Sequence, residues 1–196
     1  GPNHAEEICR GGLSAAVIAS EDQQVGETFK NLLLSTAFRI YLSQDMTGVE
    51  VCGAMKNVIA IVCGISAGTG AGDNTLALII TRGLAEISRL AHARGGQAIT
   101  CMGLAGMGDL IATCGSPLSR NYTFGSNLGK GLSVEEATKV SNGVAEGVPT
   151  TDAVVALGKQ YGVPTPLATA MSHVLDDGIS CAQMLSELFG EGITEE

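Results

Sequence analysis

Residues 47–65, TGVEVCGAMKNVIAIVCGI, decide the fold class of this chain. A helix of this sequence is apolar nearly all round, which is typical of a helix buried on all sides at the centre of a protein. Aromatic residues make up only 4% of the chain and Gly occurs 27 times, so small side chains must let neighbouring helices approach closely. The stretch therefore predicts a central helix around which other helices pack.

Helix start and stop signals follow this stretch almost to the end of the chain. Leu and Ile at helical spacing over residues 76–90 predict a long second helix, with Arg82 and Glu86 paired on its flank. The expected helix starts are a cap at Asp73 or Asn74, a capping box from Ser133 to Glu136, Thr150 or Thr151, Thr165 before Pro166, and Ser180. The expected stops are Gly95 with Gly96, Gly162, Gly178 and Gly190, and the tail from Ile193 to Glu196 is expected to fray.

Residues 1–45 show a different pattern. Residues 13–20 and 38–43 are short runs rich in β-branched or aromatic residues, and residues 25–34 between them show a helical pattern. Two strands and one helix cannot close a hydrophobic core alone. The sequence therefore predicts two units, a sheet remnant over residues 1–45 and an all-helical domain over residues 46–196.

Composition narrows the classes of partner and the compartment. The net charge of -9 disfavours nucleic acid as a partner, because the negatively charged phosphate backbone binds basic surfaces and is repelled by acidic ones. The six Cys include no C-x-x-C pair, which favours buried reduced thiols. The three His are widely spaced, so no metal site is expected. The longest apolar run, residues 58–65, is too short to span a bilayer, and no signal peptide is visible, so we expect no membrane insertion and a cytoplasmic location.

Three closely spaced glycines, Gly68, Gly70 and Gly72, suggest a cofactor loop at first sight. A dinucleotide fingerprint needs G-x-G-x-x-G directly after a strand, but Asp73 occupies the third glycine position and the preceding segment is helical. We therefore expect a helix–helix turn in which glycine supplies a positive φ.

Lys56 lies in the middle of the predicted central helix. An ammonium group there is costly unless it is paired or neutralised. Burial lowers the pKa of a lysine toward the range in which it can transfer protons. The alternative is a lysine whose stem packs against apolar neighbours while its amine reaches water.

Two further segments carry candidate polar groups. Asp109 follows a glycine-rich stretch and opens a helical turn, with Thr113 on the same face, although it could act simply as an N-cap. After Pro117, the segment from Ser119 to Asn121 is expected to open a helix whose N-terminus, with the Arg120 guanidinium, can bind a phosphate. The alternative there is a surface arginine beside ordinary capping residues.

Seven segments together resemble NAD(P)-dependent glycerol-3-phosphate dehydrogenases, the bacterial type especially. They occur in the family's order at residues 1–5, 53–57, 72–74, 81–86, 103–110, 119–121 and 144–148. The resemblance implies the C-terminal substrate domain of such an enzyme, with most of the N-terminal Rossmann domain missing. The implied fold is mainly α, like the C-terminal domain of 6-phosphogluconate dehydrogenase, with two short strands left over from the Rossmann sheet.

The resemblance also implies roles for individual residues. Lys56 would donate and accept the proton at the C2 oxygen, with Asp109 and Thr113 as its catalytic partners. Asn3 and Tyr122 depart from the usual pattern of the family, which leaves the Asn3 contact and the phosphate affinity open. The implied substrate contacts also include Gly1, Asn3, Asn57, Ser119, Arg120 and Asn121, and the implied cofactor contacts are Ala5, Arg120, Val144 and Glu146.

The implied activity is the reversible, NAD(P)H-dependent reduction of dihydroxyacetone phosphate to sn-glycerol 3-phosphate, which supplies glycerophospholipid synthesis. NAD or NADP would be held mainly by the absent domain, so the preference between the two cofactors stays open. The oligomeric state also stays open, and a homodimer is one option. Two alternatives remain: a helical association module without activity as isolated, and a related hydroxy-acid dehydrogenase.

Overall fold

The structure, a computed structural model, describes residues 1–141, 143 and 145–190, and within them it is mainly helical. The predicted fold class is confirmed. In chain order the elements are α1 Ala5–Cys9, β1 Ser14–Ala19, α2 Gln23–Leu33, β2 Phe38–Ser43, α3 Met46–Gly68, α4 Asp73–Ala93, α5 Ala98–Cys101, a π-helical turn Leu104–Gly108, α6 Asp109–Cys114, α7 Arg120–Gly129, α8 Val134–Val140, α9 Gly147–Tyr161, α10 Pro166–Asp176 and α11 Cys181–Phe189.

The two predicted strands form a parallel pair, with Ser14 opposite Phe38 and Ala19 opposite Ser43. A parallel pair needs a crossover, which α2 supplies. This helix begins two residues earlier than the pattern predicted, because Asp22 caps it by accepting two backbone N–H groups. The unit leaves large apolar side chains exposed, among them Leu13, Phe29, Leu32 and Tyr41. Its interpretation as the remnant of a larger sheet stays a prediction.

Helix α3 is the centre of the molecule, as its sequence predicts. Every residue from 58 to 66 is buried, and the helix contacts α4, α6, α7, α9 and α10. Of the described helices, Met46–Gly68 alone is long and apolar enough to cross a bilayer. The prediction considered only the apolar run at residues 58–65 and therefore underestimated the length of this apolar helix. Because 67% of its most apolar window is buried inside the protein, its hydrophobicity is that of a core helix.

Four glycines bring α3 and α7 into backbone contact. They lie four residues apart on each helix, Gly64 and Gly68 on α3 and Gly125 and Gly129 on α7. A Cβ at any of them would overlap backbone of the other helix; at Gly125, for example, it would meet the carbonyl oxygen of Ile61. The crossing therefore has no room for side chains between the two main chains, which fixes α7 against the centre of the fold.

Several local signals place the helix ends correctly. Ser133 and Glu136 form the predicted capping box, Ser180 caps α11, and Gly162 ends α9 with a φ of 65°. Gly70, with a φ of 86°, makes the turn between α3 and α4. The tail from Ile193 lies outside the described residues.

Other predicted boundaries are wrong. Helix α4 has Gly72 as its N-cap, so Asp73 is its first helical residue rather than its cap. Helix α9 begins at Gly147 instead of Thr150 or Thr151. The reason is that the side-chain oxygen of Asn121 on α7 accepts the Gly147 N–H at 2.8 Å, which satisfies the new helix end from a distant part of the chain.

The predicted flank pair of Arg82 and Glu86 is also wrong. Glu86 turns inward and is only 1% exposed. Its carboxylate accepts the backbone N–H groups of Leu167 and Ala168, at 3.0 and 3.3 Å, at the start of α10. Thr165 occupies the N-cap position but its side chain makes no capping hydrogen bond, because Glu86 already serves the first N–H groups of the helix.

Candidate active site

The two candidate catalytic groups, Lys56 on α3 and Asp109 on α6, form an ion pair. Lys56 Nζ lies 2.7 Å from Asp109 Oδ2, with side chains 22% and 9% exposed. Lys56 therefore does not simply extend to water. Asp109 does not act as an N-cap either, since Gly108 holds that position.

Further contacts fix the Asp109 carboxylate in place. The main-chain nitrogen of Gly1 lies 2.8 Å from Oδ2, and the Thr113 hydroxyl donates to the Asp109 carbonyl oxygen at 2.6 Å and lies 3.3 Å from Oδ1. Asp109 directly follows the π-helical turn Leu104–Gly108. Such turns are frequent at functional sites because they displace the following residues from a regular helical path.

Helix α7 presents the predicted anion-binding segment, and it opens where predicted. The Ser119 hydroxyl accepts the N–H of Tyr122 at 3.2 Å and caps the helix. Arg120 is the first helical residue, and its side chain is 52% exposed. Its guanidinium lies 3.8 Å from a Glu146 carboxylate oxygen, a long and exposed pairing that is worth at most about 1 kcal/mol. A bound anion can therefore compete for Arg120.

Asn121 braces the site between three helices. Its amide nitrogen donates to the Asn57 side-chain oxygen at 3.1 Å, and its own oxygen accepts the N–H of Gly147. The side-chain amide has two donors, and among the described residues it donates only to Asn57, so its second N–H can serve a ligand. The residue that the sequence predicted as a phosphate contact thus also holds α3, α7 and α9 in register.

These groups surround one pocket of about 640 Å³. Gly1, a predicted substrate contact, is not among the residues that line this pocket, although its main-chain nitrogen contacts Asp109, and Val144 lies outside the described residues. All the other predicted site residues line the pocket: Asn3, Ala5, Lys56, Asn57, Asp109, Thr113, Ser119, Arg120, Asn121 and Glu146.

Sequence reasoning missed five residues that also line this pocket: His4, Glu6, Gly53, Ala112 and Leu118. His4 has a structural role, because its Nε2 lies 3.1 Å from the Ala112 carbonyl oxygen and so ties the start of the chain to α6. A signal was present, since His4 lies within residues 1–5, a segment already selected as part of a motif. The others are neighbours of predicted residues along the chain.

Comparison with known proteins identifies the family to which the chain is similar. The profile describing the C-terminus of NAD-dependent glycerol-3-phosphate dehydrogenases matches residues 45–186. A glycerol-3-phosphate dehydrogenase [NAD(P)+] from Bifidobacterium longum subsp. infantis is 57% identical over 196 residues, and one from Nocardia farcinica is 48% identical over 197 residues. Each match covers 100% of this chain and 59% of the relative.

Solved structures give the same result. The glycerol-3-phosphate dehydrogenase of Coxiella burnetii superposes with a TM-score of 0.95 at 38% identity, over 97% of this chain and 58% of that one. A mainly helical domain with a Lys–Asp ion pair in a polar pocket is thus placed within one class, that of nicotinamide-dependent dehydrogenases. Within that class, this chain belongs to the NAD-dependent glycerol-3-phosphate dehydrogenase family, and it spans about 59% of the length of these relatives.

Proposed function

We propose that this chain forms the substrate-binding and proton-transferring half of an NAD(P)-dependent glycerol-3-phosphate dehydrogenase. The observation that carries the proposal is the Lys56–Asp109 pair at 2.7 Å in a pocket that also contains Arg120 at the N-terminus of α7. An amine and a cationic helix end in one pocket suit a substrate that joins a carbonyl to a phosphate.

Proton transfer is assigned to Lys56. In the reducing direction its ammonium group donates a proton to the C2 oxygen of dihydroxyacetone phosphate, and in the oxidising direction its amine removes the hydroxyl proton. Asp109 holds the amine in position through their 2.7 Å contact, and Thr113 steadies Asp109 in turn. The positive charge on Lys56 also stabilises negative charge that develops on the substrate oxygen.

Phosphate binding is assigned to Arg120, Asn121 and the first turn of α7. A helix N-terminus carries partial positive charge, and a guanidinium can donate two parallel hydrogen bonds to a phosphate. Together they hold the substrate so that its carbonyl oxygen stays near Lys56, which contributes through positioning. Asn3, Asn57 and Ser119 line the same pocket and would contact the rest of the substrate.

The residues present fit the edge of a nicotinamide cofactor. Ala5, Arg120 and Glu146 line one pocket, and the Arg120 and Glu146 side chains are 52% and 64% exposed, so a large polar ligand can reach them. These residues, with Val144, would contact NAD or NADP, which supplies or accepts the hydride when bound.

We also expect a cytoplasmic enzyme that serves phospholipid synthesis, with a homodimer as one option.

Ligand titration tests the substrate assignment on this chain as it stands. Isothermal titration with glycerol 3-phosphate should give saturable binding, and Arg120→Ala should weaken it at least tenfold, whereas Arg94→Ala, outside the pocket, should leave it unchanged. A preference for lactate over glycerol 3-phosphate would favour a hydroxy-acid dehydrogenase instead. Absence of binding to either ligand would favour an association module.

A further inference from the structure

A buried pair of thiols lies beside the active-site elements and takes no part in the proposed chemistry. The Cys52 thiol on α3 donates to Cys101 Sγ on α5, with 3.5 Å between the sulfurs. Both residues are 0% exposed. Cys52 precedes Lys56 by one helical turn, and Cys101 ends the element just before the turn that leads to Asp109.

We propose that Cys52 and Cys101 form an oxidisable dithiol site, which a peroxide-class oxidant converts into a disulfide that displaces the turn carrying Asp109. A disulfide needs about 2.05 Å between sulfurs, so the pair must close by roughly 1.5 Å. Helix α3 is the packed centre of the fold, whereas α5 is a single turn of four residues. The movement therefore falls on α5.

Contacts around α5 place Cys101 opposite Cys52 and still allow this movement. Asp45, which caps α3, also accepts the N–H of Gln97 and the hydroxyl of Thr100, at 2.8 and 2.6 Å, so α5 is fastened to the start of α3. On its outer side Ile99 and Met102 are 71% and 55% exposed. Because these Asp45 hydrogen bonds hold α5 and its outer side is exposed, a small oxidant reaches the buried sulfurs only when this single turn opens locally.

The two thiols differ in their tendency to ionise, which orders the chemical steps. The hydrogen bond to Cys101, together with burial, raises the pKa of the Cys52 thiol. The same hydrogen bond, with one from Ser88, lowers the pKa of the Cys101 thiol against the opposing effect of burial. The Cys101 thiolate is therefore the nucleophile of the pair.

The reaction balances with one peroxide. The Cys101 thiolate attacks a peroxide oxygen and breaks the O–O bond, which leaves a sulfenic acid and, after protonation, one water. The Cys52 sulfur then attacks the sulfenic sulfur, the S–S bond forms, and the hydroxyl leaves as a second water. The two sulfurs lose two electrons in total and the peroxide gains them.

A direct backbone contact couples the thiol pair to the ion pair. Gly106, in the π-helical turn, lies so close to Cys101 that a Cβ on it would overlap the Cys101 carbonyl oxygen. Asp109 follows three residues later. A shift of Cys101 toward α3 must therefore move this turn, and with it the carboxylate that holds Lys56.

Peptide mapping tests the site. In a Cys9→Ser, Cys181→Ser background, which leaves the four buried cysteines, the chain is treated with hydrogen peroxide, alkylated in denaturant and digested with trypsin. Cys52 is the only cysteine in the peptide 40–56, and Cys63 is the only one in 57–82. We expect a cross-link between peptides 40–56 and 95–120 that Cys101→Ser abolishes and Cys114→Ser preserves. Full alkylation of Cys52, or a cross-link only from peptide 57–82, would overturn the proposal.

Hydrogen exchange tests the coupling in the same samples. Oxidation should raise amide exchange at least severalfold in residues 104–113, and Cys52→Ala, confirmed as folded by circular dichroism, should show no such rise on peroxide treatment. A cross-linked protein with unchanged exchange in that segment would refute the displacement. Both readouts are independent of substrate binding, so they can fail without touching the proposed activity.

Discussion

Glu86 caps a helix that lies 81 residues further along the chain, because its Oε2 accepts the N–H of Leu167 at 3.0 Å. The carboxylate is buried on α4, and it serves the first turn of α10 from inside the core. Burial raises the pKa of Glu86 to about 7, and the hydrogen bonds from Leu167 and Ala168 and the charge of Arg89 only partly oppose this. The capping group thus changes charge near neutral pH.

This shift predicts a pH-dependent stability. The pKa of Glu86 is about 7 in the folded chain and about 4.5 in the unfolded chain, so between these values the folded state binds more protons. The contribution is therefore fully present below about pH 4.5 and is lost as the pH rises through 7, by at most roughly 3 kcal/mol. Urea unfolding at pH 5 and pH 8 measures the difference.

Glu86→Gln isolates the effect of this group, because glutamine does not titrate. The variant should lose most of the decline in the free energy of unfolding between pH 5 and pH 8, whereas Glu135→Gln, at an exposed position on α8, should keep it. Equal slopes for the wild type and Glu86→Gln would show that Glu86 does not carry the pH dependence.

The glycine crossing predicts a severe effect from one methyl group. Gly125→Ala would place a Cβ against the Ile61 carbonyl oxygen, and backbone there cannot yield as a flexible side chain does. We expect a loss of about 3 kcal/mol or more, the upper end for overpacking. On α3, Gly53→Ala meets nothing within 4 Å, so it should be neutral or stabilising by about 0.5–1 kcal/mol. Thermal unfolding of both variants decides.

Turnover tests the role of Lys56. This chain can replace the corresponding C-terminal part of the Bifidobacterium longum subsp. infantis relative, to which it is 57% identical. In that fusion Lys56→Ala should lower kcat about 10²–10⁴-fold, the usual contribution of a general acid or base. Lys130→Ala, at an exposed position beyond the pocket, is the control. Near-normal turnover of Lys56→Ala would exclude proton transfer by this residue.

Asn121→Asp tests the proposed contact between Asn121 and the substrate phosphate. Aspartate keeps the oxygen that accepts the Gly147 N–H, but it loses the donor to Asn57 and adds a negative charge beside the expected phosphate. Binding of glycerol 3-phosphate should weaken at least tenfold, and the unfolding temperature should fall as well, because a buried donor is lost and a buried charge is gained. Asn127→Asp on the same helix should bind normally. Unchanged affinity in Asn121→Asp would mean that Asn121 only braces the helices.

The sequence predicted those structural elements and helix caps that depend on residues close together in the chain. The two strands, the buried central helix and the Ser133 capping box depend on residues close in the chain, and the structure confirms them. The starts of α9 and α10 depend on Asn121 and Glu86, which are distant in the chain, so no local pattern could reveal them. In the site, a charge in an apolar helix singled out Lys56. The structural role of His4, by contrast, depends on a carbonyl group 108 residues away.

The backbone contact between α3 and α7 sets how far apart the main chains of the two helices lie in the site. Lys56 and Arg120 lie on these two helices, so the crossing fixes the separation of their main chains, and only side-chain rotamers can change the span between amine and guanidinium. Substitutions in the pocket wall can alter how strongly a molecule is held, but they leave this main-chain separation unchanged. A change in that separation would require residues other than glycine at the four crossing positions.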